Sequence, residues 1–334
     1  DELLELAELV QIPVMTTMAG KSDFPENHPL SLGAAASTGT KAAAHFLKKA
    51  DVIFGVGCGF SKSPFAPALP EGSTIIQLTS HERDINKAYA IDHILLGDAK
   101  LVLQQAIAEV KSRLGEEGRD EDQALQREIA SIKQEWLSEW MPKLTSGEVP
   151  INPYRVIWDL MNTLDRENSI VSHDSGGPRD QMVPFFEPLV PHGYLGWGHT
   201  TQLGFSLGAC MGAKLAMPER AVATIMGDAG FGMVGMDFET AVRERIPILV
   251  IVLDNGCLGG YGKHIPIASA KYGTRFLSGN YARVAEGLGG YAERIEEPAQ
   301  IVPAIQRALE ALEGGKPALL DMITKEETAF SRYW

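Results

Sequence analysis

Cysteine is scarce in this sequence of 334 residues, and the three cysteines, Cys58, Cys210 and Cys257, stand far apart. They form neither the close pairs of a zinc site nor an even set that could pair as disulfides. This pattern argues against a small secreted scaffold held together by disulfides, so we expect a reducing, cytoplasmic setting.

Long apolar runs and an excess of positive charge are also missing. The uninterrupted apolar segments have the length of strands, far short of the roughly 20 residues that span a membrane. Lysine and arginine number 30 against 43 aspartate and glutamate residues, a formal net charge of −13. An acidic surface repels nucleic acid and anionic lipid, so we expect neither nucleic acid nor a membrane as a partner.

Strand-like and helical patterns alternate along the chain, which predicts an α/β protein of two Rossmann-like, three-layer α/β/α domains with mainly parallel sheets. Residues 1–112 predict the first domain, with residues 21–40 as a loop. Residues 113–150 are charged and then helical, with Trp136 and Trp140 on a packing face, and we interpret them as a linker. Residues 151–334 predict the second domain.

The segment from Ala221 to Cys257 predicts one strand–loop–helix–strand unit. AVATIM and ILVIVL have the composition of buried parallel strands, with a helix expected from about Met236 to Arg245. Asp228 and Asn255 follow the two strands, and the carboxyl ends of parallel strands collect ligands. Carboxylate and amide oxygens suit a magnesium ion that holds phosphate, and small residues let backbone N–H groups approach it.

These residues resemble the thiamine diphosphate (ThDP) motif of the acetolactate synthase and pyruvate decarboxylase superfamily, usually written GDG…NN. Gly227-Asp228-Ala229 and Asp254-Asn255 correspond to its two halves. Ala229 replaces a glycine and Asp254 replaces the first asparagine, and neither change removes a presumed ligand. Further matches are Phe231, Glu239, Thr240, Ala241, Arg243 and Pro247. The structural alternative is an ordinary βαβ unit whose aspartate caps a helix.

The resemblance implies that Asp228, Asn255 and the backbone carbonyl of Cys257 hold Mg²⁺, which in turn holds the cofactor's diphosphate. The Thr201 carbonyl would meet the aminopyrimidine, and Leu203, unless it is plain core, would bend the cofactor. The full set of implied cofactor contacts is Gly176, Gly177, Thr201, Leu203, Gly227, Asp228, Ala229, Gly230, Asn255, Cys257 and Leu258.

In this superfamily the catalytic glutamate lies in a separate pyrimidine-binding domain, which nothing in the sequence resembles. The chain starts within a helical pattern and lacks an initial Met, so we expect that domain in another chain or in a removed segment. Tyr261 and His199 are the weaker catalytic candidates within the chain. Because subunits share cofactor sites in relatives, the resemblance also implies a homodimer or homotetramer.

The stretch GFGMVGMDFET is similar to oxalyl-CoA decarboxylases and 2-hydroxyacyl-CoA lyases, and the Met-Val-x-Gln-Trp stretch of acetolactate synthases is absent after Cys257. We therefore expect a ThDP- and Mg²⁺-dependent enzyme that cleaves or forms C–C bonds of a 2-hydroxyacyl-CoA. The alternative is an acetolactate synthase-like carboligase or a 2-keto acid decarboxylase. A ThDP- or nucleotide-binding subunit without chemistry of its own is a further alternative.

Two other motifs suggest different functions. Gly55-x-Gly57-x-Gly59 resembles a dinucleotide fingerprint, but prolines interrupt the helix that must follow, which disfavours an NAD dehydrogenase. The first domain instead resembles the superfamily's central domain, so ADP or FAD there stays open. The segment 173–177, HDSGG, imitates the nucleophile loop of trypsin-like proteases, whose all-β fold contradicts the pattern here.

Three glycines, Gly204, Gly208 and Gly212, recur every four residues in a helical segment. They give one helix face without side chains, which allows another helix to approach closely. We expect a partner on this face.

Overall fold

A computed structural model describes residues 1–197 and 202–334. Contacts group the chain into two compact units: unit 1 comprises residues 1–137 and 331–334, and unit 2 comprises residues 138–330. The division falls inside the predicted linker, but residues 331–334 belong to unit 1 rather than to the second domain that the sequence predicts. Within the described residues, no helix combines the length and the apolar character needed to cross a membrane.

Unit 1 contains two parallel sheets, β1–β2 and β3–β4–β5. Its elements in chain order are α1 (Glu2–Val10), β1 (Val14–Thr17), β2 (Ser31–Ala35), α2 (Lys41–Lys48), β3 (Val52–Val56), β4 (Thr74–Thr79), β5 (His93–Leu96), α3 (Ala99–Leu114) and α4 (Gln123–Leu144), which continues into unit 2.

Side-chain caps start two helices of unit 1. The Thr40 and Asp98 side chains accept N–H groups in the first turns of α2 and α3, which would otherwise lack partners. The prediction of a loop over residues 21–40 is wrong in part, because β2 lies there. Its sequence SLGAA is buried throughout and Gly33 has φ +78°, so it lacks the alternation that marks a strand.

Unit 2 contains one sheet of parallel strands in the order β10–β11–β9–β8–β6–β7. Its elements are α5 (Pro153–Thr163), β6 (Ser169–His173), α6 (Gly177–Phe185), β7 (Tyr194–Leu195), α7 (Phe205–Ala216), β8 (Ala221–Gly227), α8 (Asp228–Val234), α9 (Phe238–Arg243), β9 (Leu249–Asp254), α10 (Tyr261–His264), α11 (Pro266–Tyr272), α12 (Tyr281–Gly287), β10 (Tyr291–Ile295), α13 (Ile301–Glu313) and β11 (Ala318–Ile323).

The α/β class with mainly parallel sheets is confirmed in both units. β9 is buried along its whole length, as its uninterrupted apolar sequence predicts. The helix expected from about Met236 to Arg245 corresponds to α9 (Phe238–Arg243). A separate helix that was not expected, α8, starts earlier, at Asp228, directly after the extended Gly227. A carboxylate in the first turn favours such an early start.

Trp140 packs edge-on against Tyr154, which confirms a packing role for that tryptophan.

The last four residues are bound to unit 1 through backbone and side-chain hydrogen bonds. The buried Ser331 hydroxyl donates to the Gly39 carbonyl at 2.7 Å and accepts from Trp136 Nε1 at 3.0 Å. The Gly39 N–H donates to the Ser331 carbonyl at 3.0 Å, and Trp334 Nε1 donates to the Ala36 carbonyl at 2.5 Å. A single small side chain therefore connects α4, the 36–40 loop and the tail.

Replacing Ser331 by alanine is expected to destabilise unit 1 by roughly 1–3 kcal/mol, because a buried donor and a buried acceptor lose this partner. Chemical denaturation and hydrogen exchange of residues 31–48 measure the loss. Ser80→Ala, at an exposed serine of the same unit, is the matched control. Equal stability of the two variants would contradict the role of Ser331.

Candidate functional site

Three acidic residues follow or end neighbouring strands of unit 2 at one edge of the sheet. Asp174 follows β6, Asp228 follows β8 and Asp254 ends β9. In the parallel register Gly227 pairs with Leu253, so Asp228 and Asp254 leave neighbouring strands side by side. This edge is where open α/β sheets bind ligands.

Asp228 is 2% exposed, and the described residues provide a hydrogen bond to only one of its two carboxylate oxygens. Its Oδ1 accepts the Ala229 N–H at 2.8 Å, and its Oδ2 has no hydrogen-bond partner among the described residues. Burial, and then the nearby Asp254, raise the pKa of Asp228 to about 6, although the backbone N–H groups of Ala229, Gly256 and Cys257 oppose the shift. The chain therefore places a carboxylate here without enough positive charge to stabilise its ionised form.

The turn after β9 is shaped by its own side chains. Asp254 Oδ1 accepts the Gly256 N–H at 3.2 Å, and Asn255 Oδ1 accepts the Cys257 N–H at 3.0 Å. Gly256 has φ +66°, a conformation that glycine adopts without strain. Leu258, a predicted cofactor contact, continues the turn and donates its N–H to the Arg275 carbonyl at 2.8 Å. The amide oxygen of Asn255 also lies 3.4 Å from the Cys257 thiol, a weak donor that a cation could displace.

A third buried carboxylate belongs to the same cluster. Asp321, in the middle of β11, is 0% exposed, and burial followed by Asp254 raises its pKa to about 6. Its Oδ2 accepts from Arg294 at 2.8 Å and from the Tyr281 N–H at 3.1 Å, while its Oδ1 has no partner among the described residues. Burial together with Asp228, Asp254 and Asp321 raises the pKa of Tyr281 to about 12.

Sequence reasoning missed Asp321 and Arg294. A lone charged residue in the apolar stretch PALLDMIT was a signal for Asp321. Arg294 gave none, because its contact depends on the strand order β10–β11–β9.

Asp174, in the segment that imitates a protease loop, is a helix cap supplied from another strand. Both of its carboxylate oxygens accept the Gly204 N–H, at 3.0 and 2.9 Å, at the start of α7. Burial raises its pKa, and the N–H groups of residues 204–206 partly oppose the shift. A Cβ at Gly230 would collide with Asp174 Oδ2, so that glycine makes room for the cap.

The other predicted contacts fall in several places. Gly176 caps α6 with φ +81°, and Gly177 begins that helix. In the part of the chain that the structure describes, no neighbouring atom lies within 4 Å of a Cβ built at Gly176 or Gly227. Leu203 is partly buried just before α7, and Tyr261 begins α10. His199 and Thr201 lie outside the described residues.

The donor set at the ends of β8 and β9 fits a divalent cation. Asp228, Asp254 and Asp321 are buried carboxylates, and among the described residues Arg294 pairs with Asp254 and Asp321 but not with Asp228. No group of three His, Cys, Asp or Glu side chains in the described part of the chain could hold a metal by itself. A cation here would use one carboxylate, an amide oxygen and backbone carbonyls, which are ligands of Mg²⁺.

Comparison with known proteins finds the two domain types that the sequence resembles. Residues 1–106 match the thiamine pyrophosphate enzyme central domain, and residues 174–322 match the thiamine pyrophosphate enzyme C-terminal TPP binding domain.

Curated relatives cover almost the whole chain. A "Probable acetolactate synthase large subunit" of Methanocaldococcus jannaschii is 34% identical over 97% of this chain and 54% of the relative. The acetolactate synthase isozyme 3 large subunit of Escherichia coli is 26% identical over 96% of this chain and 56% of the relative. A 3D-(3,5/4)-trihydroxycyclohexane-1,2-dione hydrolase of Clostridium perfringens is 26% identical over 92% of this chain and 53% of the relative.

This chain thus spans about half the length of the curated relatives it matches. The matched regions include Asp228, Asn255 and Cys257, around which the site is built. The chain belongs to the thiamine pyrophosphate enzymes, of which it carries a central domain and a C-terminal TPP binding domain.

Proposed function

We propose that unit 2 binds ThDP through Mg²⁺ for an enzyme that joins carbon centres, an acetolactate synthase-like carboligase acting on 2-keto acids. The observation that carries the proposal is the buried Asp228 with its unpartnered oxygen beside the turn 254–257. The match to a TPP binding domain across this site supports the same ligand.

In this proposal Asp228, Asn255 and the Cys257 carbonyl hold the ion. Gly176, Gly177, Gly227, Ala229, Gly230 and Leu258 line the space for the diphosphate, and Leu203 supports the bend of the cofactor. Bound ThDP supplies the carbanion chemistry at a carbonyl carbon. The residues of this chain hold and orient it, while Thr201, His199 and Tyr261 stay predictions. The glutamate that starts proton transfer is expected in a pyrimidine-binding domain outside this chain.

The carboligase is favoured over the 2-hydroxyacyl-CoA lyase that the sequence motif suggests. Two of the three relatives above carry the name acetolactate synthase large subunit, and none of the three has a name that refers to coenzyme A. The missing Met-Val-x-Gln-Trp stretch bears on the substrate pocket rather than on the cation site. For this reason it does not oppose membership of the carboligase group.

A nucleotide in the central domain stays a prediction. The Gly55–Gly59 loop gives it no dinucleotide fingerprint, because residues 57–73 form no helix and a Cβ at Gly55 would collide with the Phe60 ring. Unit 1 does contain a cleft of about 540 Å³, whose lining includes Asn27, Arg127 and Lys133. ADP or FAD could be tested there by equilibrium dialysis.

A paired assay with ThDP and Mg²⁺ tests the function. One arm follows acetolactate formation from pyruvate, and the other follows aldehyde or ketone release from a 2-hydroxyacyl-CoA. We expect turnover in the first arm. Turnover only in the second would restore the coenzyme A substrate. Silence in both, for a chain that binds ThDP, would favour the binding subunit without chemistry of its own.

Asp228→Asn should weaken Mg²⁺-dependent ThDP binding by about tenfold or more, because it removes the carboxylate that faces the cation. Isothermal titration calorimetry measures the affinity. Asp237→Asn, at an exposed aspartate three residues after Val234, is the matched control.

The same pair of proteins gives a pH test. The pKa of Asp228 is raised to about 6, so protons compete with the cation below that pH and wild-type affinity should fall as pH drops from 7 to 5. The asparagine variant should lose this part of the pH dependence, and its curve corrects for titration of the cofactor itself. Parallel curves for both proteins would contradict the assignment of Asp228.

The glycine face of α7 bears on assembly. Among the described residues, no neighbouring atom lies within 4 Å of a Cβ built at Gly208 or Gly212, both of which are exposed. Phe205 and Leu215, on the same helix, are 41% and 68% exposed. Two glycines flanked by exposed apolar side chains form a helix surface that is suited to close packing against another helix. This agrees with the homo-oligomer that we propose.

Gly208→Leu should lower the oligomeric state, whereas Gly208→Ala should preserve it. Both substitutions raise helix propensity, and a Cβ at position 208 meets no atom of the described residues within 4 Å, so neither should reduce the thermal stability of the monomer. Sedimentation velocity compares the three proteins. An unchanged oligomer for the leucine variant would show that the face is not an interface.

A further inference from the structure

Two aspartates leave neighbouring strands at the cation site, but their surroundings differ. Among the described residues, no cationic side chain forms an ion pair with Asp228, and its Oδ2 is unpartnered. Asp254 Oδ2 lies 3.5 Å from Arg294. Two adjacent buried anions repel each other, so the protein must compensate one of them internally if the other is to receive a cation.

Arg294 reaches this position across the sheet. It lies on β10, pairs in register with Asp321 on β11, and extends to Asp254 at the end of β9. Its Nη1 is 2.8 Å from Asp321 Oδ2 and 3.5 Å from Asp254 Oδ2. On the outer side its Nε lies 3.5 Å from Glu296. The guanidinium is a permanent charge, which suits it as an internal counter-ion.

Asp254 uses its other oxygen to shape the turn. Oδ1 accepts the Gly256 N–H at 3.2 Å, while Oδ2 faces Arg294. Both oxygens are thus engaged within the protein. In contrast, Asp228 engages only Oδ1.

We propose that Arg294 is a positioning residue for the cation site: it neutralises Asp254, so that Asp254 only shapes the turn and Asp228 alone supplies the carboxylate for Mg²⁺. This inference rests on the proposed function. It explains why an aspartate is tolerated at position 254, directly before the presumed ligand Asn255. Without Arg294, Asp254 would compete with Asp228 for the ion and pull the turn away from its shape.

Calorimetry of ThDP binding in Mg²⁺ tests the inference with three variants. Arg294→Met should weaken binding by about tenfold or more, the loss typical of a residue behind a metal ligand. Arg294→Lys should retain part of the affinity. Adding Asp254→Asn to Arg294→Met should restore most of it, because the anion that needed compensation is gone. Arg307→Met, which removes the exposed ion pair with Glu293 beside the same strand, should bind like wild type.

Asp321 provides the control for folding. Arg294→Met also leaves the buried Asp321 without its cation, so Tm should fall by several degrees. Adding Asp321→Asn should recover Tm without restoring ThDP affinity. Unchanged affinity in Arg294→Met, or rescue of affinity by Asp321→Asn and not by Asp254→Asn, would overturn the inference.

Failure of the proposed function would look different. If the wild-type chain bound no ThDP in Mg²⁺, that function would fail, and the pairing would be tested by unfolding of the cofactor-free chain. A double-mutant cycle of Arg294→Met and Asp254→Asn should then be clearly non-additive in its Tm shifts. Additive shifts would overturn the inference as well.

Discussion

The site depends on one electrostatic constraint: carboxylates are buried where parallel strands end, and each needs a source of positive charge. Backbone N–H groups supply it for Asp174, whose two oxygens receive the first N–H of α7. A guanidinium supplies it for Asp321 and Asp254. Asp228 receives only partial compensation from nearby N–H groups, and its pKa rises accordingly. A buried anion that the protein leaves partly uncompensated is suited to hold an external cation.

This arrangement links distant parts of unit 2. Asp174 connects the end of β6 to the start of α7, and Gly230 in α8 must lack a side chain to leave space for that contact. Val234, one turn further along α8, occupies the space that a side chain at Gly204 would need. The positions of α7 and α8 are therefore fixed by small residues and one carboxylate. Asp228, as the first residue of α8, is positioned together with that helix.

The sequence was sufficient to predict the α/β class, the strands β8 and β9, and the edge at which Asp228 and Asn255 lie. These features follow from local apolar runs and from the rule that parallel strands end together. It did not predict β2, whose small residues have no alternation, or β10, which carries Glu293 and Arg294 among its few residues. Caps such as Asp174 were missed because their partners stand far away in the chain.

Arg294 illustrates why such residues escape sequence reasoning. Asp254 and Arg294 are separated by three helices and only meet because β11 lies between β9 and β10. Examined alone, Asp254 is a small departure from an asparagine and Arg294 is one arginine in a charged strand. The strand order brings them together, so that the aspartate at the end of β9 and the arginine on β10 form an ion pair. A change at either position therefore has its physical meaning only in the presence of the other.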